Sequence, residues 1–157
     1  MCNNTLLGQR LNLSSPSDIF DNLIKKNEWE TLIRLFSLNI LDINHRDCKG
    51  RNILYFAILN KKYEYIKILF DLRVNSRVNF SLNAINFAVC LDDIKSLEIL
   101  LKCGLSVDTL DEIGTSPLIY AILYNKKKST EFLIKSGANL ELEDFMGNCA
   151  KFLLHSK

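Results

Sequence analysis

The chain predicts an all-α fold, a solenoid of stacked helix-turn-helix units joined by short β-hairpin turns. Three observations carry that expectation. An aspartate followed three positions later by glycine recurs at Asp47–Gly50, Asp111–Gly114 and Asp144–Gly147. Gly114 and Gly147 stand one repeat apart, Gly50 and Gly114 stand two, and both intervals give the same period in the low thirties. A fixed period of that size marks helical pairs that bury one shared core by stacking. Between the turns, apolar residues fall at helical spacing in two stripes per unit. Two prolines and six glycines in 157 residues leave those helices few breaks.

The length suits one domain with a continuous core. Hydrophobic residues at 48 % and charged ones at 24 % are ordinary for a soluble globular protein. A formal charge of +2 is too mild to imply a nucleic-acid or membrane partner. The five cysteines, Cys2, Cys48, Cys90, Cys103 and Cys149, include no C-x-x-C pair, and only His45 and His155 could join them as ligands. That pattern reads as free thiols in a reducing compartment, with no metal site. Met1 to Ser14 holds no apolar run of signal-peptide length, and no stretch approaches the roughly 18 to 20 apolar residues of a membrane span. The expected location is cytoplasmic, in the source cell or in a host.

Residues 1–14 are polar and aperiodic, and are expected to form a flexible lead-in. The repeat domain follows over 15–157, in units of about 15–43, 44–74, 75–107, 108–140 and 141–157. Ser15-Pro16-Ser17-Asp18 starts a helix, with Ser15 as cap, Pro16 in the first helical position and an early carboxylate that suits the dipole. Ile19, Phe20, Leu23 and Ile24 form its apolar stripe, and Trp29, Leu32, Ile33, Leu35 and Phe36 form the next. The second unit predicts helices over Asn52 to Asn60 and Tyr63 to Leu72. Ala57, Ala88 and Ala121 hold equivalent places, where a single methyl lets neighbouring helices approach.

The third unit predicts helices over Asn83 to Leu91 and Ile94 to Lys102. Its turn, Asn75 to Phe80, is shorter than the others and lacks both aspartate and glycine, so a distorted or missing hairpin is expected. In the fourth unit Gly104 caps the preceding helix, Ser116-Pro117 opens the next, and Phe132, Leu133 and Ile134 build its partner. The last unit has one short helix, with Phe152, Leu153 and Leu154, and reads as a cap.

The stretch Asp111-Glu112-Ile113-Gly114-Thr115-Ser116-Pro117-Leu118-Ile119-Tyr120-Ala121 resembles the start of an ankyrin repeat, D-x-x-G-x-T-P-L-H-x-A. Ser116 and Ile119 replace the threonine and the histidine. Asp47 to Ala57 and Asp144 to Gly147 echo it, and the resemblance covers about Ser15 to Lys157. It implies a non-enzymatic protein-protein interaction module with a concave groove, in which turn tips act as fingers and first helices as a palm. Proteins of this family include inhibitors, effectors and immunity proteins, so binding and blocking a partner protein is the expected role. An accessory chaperone that delivers a cofactor or client to an enzyme is the alternative.

Groups that could carry chemistry are few. His45 beside Arg46 and Asp47 reads as a turn residue, and His155 lies near the end. The glycines stand singly, so no phosphate cradle forms. The carboxylates Asp108, Asp111, Glu112, Glu141, Glu143 and Asp144 lack EF-hand spacing. Lys126-Lys127-Lys128 is a basic turn without the broad basic face that nucleic acid needs. No catalytic residue, cofactor or metal is predicted.

Carried onto this sequence, the resemblance places the fingers at Arg46, Lys49 and Arg51, then Leu110, Glu112 and Ile113, then Phe145 and Met146. The palm includes Leu59, Leu91, Leu123 and Tyr124. Basic residues gather in the early turns and carboxylates in the late ones, a polarity that steers a partner more than it adds affinity. A capped stack is expected to be a monomer.

Overall fold

A computed structural model describes residues 15–155, and nine α-helices lie among them. They are α1 (Pro16–Lys25), α2 (Trp29–Ser37), α3 (Ile53–Leu59), α4 (Tyr63–Asp71), α5 (Ala84–Cys90), α6 (Ile94–Lys102), α7 (Pro117–Leu123), α8 (Lys127–Lys135) and α9 (Ala150–His155). The predicted lead-in over 1–14, with Cys2, lies outside the described residues.

Local chemistry sets the helix starts. Ser15 and Asp18 form a reciprocal capping box at α1: the Ser15 hydroxyl accepts from the Asp18 amide at 3.1 Å, and Asp18 accepts from the Ser15 amide at 3.0 Å. Helices α3, α5 and α7 begin behind Asn52, Asn83 and Ser116, whose side chains accept from the amides of Tyr55, Asn86 and Ile119. Each such cap contributes about 1 kcal/mol.

The period of the chain is visible in its backbone angles. Asn27, Lys61, Asp92 and Asn125, in the loops inside each helical pair, hold φ between 53° and 59° and recur once per unit. Asn39, Arg73, Gly104 and Gly137, which follow the second helices, also hold positive φ and advance in step with the first series. In both series the shortest step, Lys61 to Asp92 and Arg73 to Gly104, spans the short turn of the third unit.

That third turn differs from expectation. A tight hairpin is present: the Val78 amide donates to the Leu82 carbonyl at 3.0 Å, the Ala84 amide donates to the Ser76 carbonyl at 2.7 Å, and Arg77 bridges Asn83. No residue between Val74 and Asn83 adopts positive φ. Asn79 replaces the glycine, because its Oδ1 accepts from the amides of Ser81 and Leu82 at 2.9 and 2.7 Å and closes the turn through a side chain. The other bridge is Glu143–Cys149, and no extended strand forms among the described residues.

Packing runs along the chain in two rows. Helix α3 contacts α5, α5 contacts α7, and α7 contacts α9; α4, α6 and α8 form the second row behind them. Ala57, Ala88 and Ala121 are fully buried in the first row. One hydrophobic cluster extends from Phe20 to Ala150. Aromatic pairs join successive units: Phe20 meets Phe56 edge-on at 6.0 Å, Trp29 stacks on Tyr65 at 5.5 Å, and Tyr55 stacks on Phe87 at 4.4 Å. Polar ties repeat as well, since Asn44 accepts from the Asn75 amide and Asp108 from the Asn139 amide, each one unit further on.

Candidate functional site

The turns are built around buried or half-buried aspartates. Asp47 Oδ1 accepts from the amides of Lys49 and Arg51 at 2.9 and 2.8 Å, while Oδ2 accepts from Arg51 Nε at 2.7 Å. Burial alone would raise this carboxyl, but the hydrogen bonds from Arg51 and the two amides outweigh it and hold it below the usual carboxylate range. Asp144 accepts from the amides of Met146 and Asn148, from the Asn148 side chain and from the Thr115 hydroxyl. It too ends below the usual range despite its burial. Asp111 accepts from the amides of Ile113 and Thr115 and from the Tyr120 hydroxyl. These carboxylates shape the turns.

The basic residues predicted at the first tips divide by role. Arg46 donates to the carbonyls of Gly50 at 2.6 Å and Arg77 at 2.8 Å, so it fastens turn two to turn three. Arg51 pairs with Asp47 and lies over the rings of Tyr55 and Phe56 at 5.3 and 4.8 Å. Lys49 is exposed. Across the next gap, Arg77 forms an ion pair with Glu112.

The apolar candidates all reach the surface. Leu59, Leu91, Leu110, Ile113 and Leu123 are exposed, Tyr124 is 58 % exposed, and Phe145 and Met146 are each 79 % exposed. Equivalent places along the first-helix row are Leu59, Cys90 and Leu123, then Asn60, Leu91 and Tyr124, each one repeat after the last. Behind them stand Phe56, Phe87 and Tyr120, which are buried or half-buried. Tyr124 stacks on Tyr120 at 5.7 Å. Burial, then the hydrogen bond to Asp111, pushes the Tyr120 hydroxyl well up, so it stays protonated and holds helix α7 to its own turn.

Phe80 belongs with these residues and was not among the predicted ones. It is 67 % exposed at the tip of turn three, and its ring covers Gly50 as the ring of Phe145 covers Gly114. The signal was its offset from the preceding turn glycine, since Gly50 to Phe80 is within one position of Gly114 to Phe145. The expectation of a broken third hairpin hid it.

Other reactive groups are held quiet. Burial pushes the thiols of Cys90 and Cys103 up, the opposite of an activated nucleophile. Cys149 Sγ donates to the Leu140 carbonyl at 3.2 Å. His45 packs edge-on against Phe20 at 5.1 Å, and its Nε2 lies 3.2 Å from the Ser17 hydroxyl, which ties α1 to turn two. No helix among the described residues is long and apolar enough to cross a membrane.

No family model matches the chain. Over 127 residues it is 28 % identical to the potassium channel AKT2/3 of Arabidopsis thaliana, a match that covers 76 % of this chain and 16 % of that protein. The chain thus spans about a sixth of that relative's length, and the similarity belongs to that stretch alone.

Proposed function

We propose that the chain is an ankyrin-repeat module that binds another protein through a concave face formed by its turn tips and first helices, and acts by covering a surface of that partner. The carrying observation is the run of exposed apolar residues at the ends of consecutive first helices, Leu59, Leu91, Leu123 and Tyr124, continued by the tips Ile113, Phe145 and Met146. Exposed apolar side chains that recur along one row of a small domain suit an interface. The repeated turn motifs and the matching periods of positive φ support the ankyrin reading. Similarity confined to a stretch of a much longer protein is also what a repeat module would give. In this reading the protein works as a monomer in the cytoplasm and needs no cofactor.

The test is affinity capture from native lysate with wild type and a Leu123→Glu/Tyr124→Lys variant, after circular dichroism has shown equal helix content. A protein retained by wild type and lost by the folded variant is the expected outcome. Identical retention by both, or none by either, would overturn the reading.

A further inference from the structure

Charge along the turns goes further than the presence of an interface. Residues 39–51 and 73–82 carry five arginine or lysine residues and two aspartates, whereas 104–115 and 137–148 carry six carboxylates and no lysine or arginine. These turns lie side by side in order. Arg46 reaches the Arg77 carbonyl, Arg77 pairs with Glu112, and the Phe145 amide donates to the Ile113 carbonyl. The sign of the row therefore changes once, at the Arg77–Glu112 pair. Lys49 and Arg73 are exposed on the basic side, and Glu143 is exposed on the acidic side.

Apolar tips stand on the same row and straddle the change of sign. Phe80, Leu110 and Ile113 are exposed near the seam, with Phe145 and Met146 beyond it. A recess of about 320 Å³ opens at the seam between turns three and four, with Arg77, Glu112 and Asn83 in its lining. Asn83 Nδ2 is buried there without a hydrogen-bond partner, whereas the equivalent Asn52 Nδ2 donates to the carbonyls of Asn75 and Arg77. A buried donor left open in this way costs stability unless an acceptor reaches it.

We infer that this row binds an extended polypeptide segment with acidic residues over turns two and three, apolar residues across the seam, and basic residues over turns four and five. The inference rests on the protein-binding reading above and specifies the ligand's chemistry. A row of one sign would suit a phosphate backbone or an anionic lipid surface, but the carboxylates of turns four and five, of which Glu112 and Glu141 are paired with Arg77 and Lys151, repel both. Neighbouring helices pack about 10 Å apart, so four turns span about 30 Å. An extended segment of about nine residues covers that length.

The experiment is selection of a phage-displayed library of random peptides, about 12 residues long, on the purified protein at low salt. The selected peptides are then synthesised and their binding measured by fluorescence anisotropy. Expected sequences segregate acidic from basic residues around an apolar centre. Either chain direction satisfies the inference, because the segment can lie both ways. Binding should weaken at least about tenfold in a Lys49→Glu/Glu143→Lys variant, which alters two exposed side chains, and should weaken as salt is raised. Selected peptides that are apolar without segregated charge, or that bind wild type and variant equally, would overturn the inference and leave the protein-binding reading standing. Failure to select any peptide would overturn the inference alone, because the lysate capture judges the broader reading separately.

Discussion

Asp92 and Ser129, in successive units, are joined twice: Asp92 Oδ1 accepts from the Ser129 amide at 2.9 Å and from its hydroxyl at 2.7 Å. Asp92 sits in the loop between α5 and α6 with φ at 53°, and Ser129 lies buried in the first turn of α8. The loop of one unit thereby caps the second helix of the next, which has no side-chain cap of its own.

Removing that tie should therefore loosen the fourth unit. Asp92→Ala loses both hydrogen bonds and places a side chain that disfavours positive φ, so a loss of about 1–3 kcal/mol is expected. Asp92→Asn keeps an acceptor and tolerates the backbone angle, and should lose less. Denaturant unfolding of the two variants checks the order, and equal losses would contradict it.

Two turn glycines separate backbone strain from contact. Gly114 and Gly147 have similar φ, 73° and 79°, but a Cβ at Gly114 would stand 2.9 Å from the ring of Phe145, while one at Gly147 meets open space. Both alanine variants should be less stable by about 1 kcal/mol from the backbone. Gly114→Ala must also displace the Phe145 ring, so it should have the lower thermal midpoint of the two.

Asn86 is fully buried in α5, and neither its Oδ1 nor its Nδ2 has a hydrogen-bond partner. The equivalent residue in the fourth unit is Ile119, which is also fully buried. Asn86→Leu removes two unsatisfied polar atoms while keeping the branching of the side chain, and should raise stability by about 1–3 kcal/mol. A lower midpoint would contradict this expectation.

Acid should unfold the protein through its turn aspartates. Asp47 and Asp144 both sit below the usual carboxylate range in the folded protein. A depressed folded pKa gives stability that is full above the unfolded value of about 3.9 and is lost as pH falls toward the folded one. Denaturant midpoints should change little from these two groups above about pH 5 and fall below about pH 4. Asp144→Asn should show a smaller fall, and parallel curves for variant and wild type would contradict this assignment.

Helix positions were the most legible part of the sequence. Ser15, Asn52, Asn83 and Ser116 announce starts through side chains that cap an amide one turn on, and apolar stripes place the faces. The third turn was misread because the expected signal was glycine, whereas the structure closes it through Asn79 Oδ1. At the tips, exposure of Phe145 and Met146 followed from their place in the repeat. The roles of Arg46 and Arg51 did not, because they depend on the Arg77 carbonyl and on rings brought close only by folding. Sequence spacing marked where charge lies, but not which charges are used to hold neighbouring turns together.

Hydrogen exchange of the protein, free and bound to the partner recovered by capture, tests the central claim most directly. The account predicts slowed exchange in peptides covering 56–60, 87–91 and 120–124 and the tips at 110–113 and 144–147. Protection confined to α4, α6 and α8 would place the partner on the opposite row and contradict it.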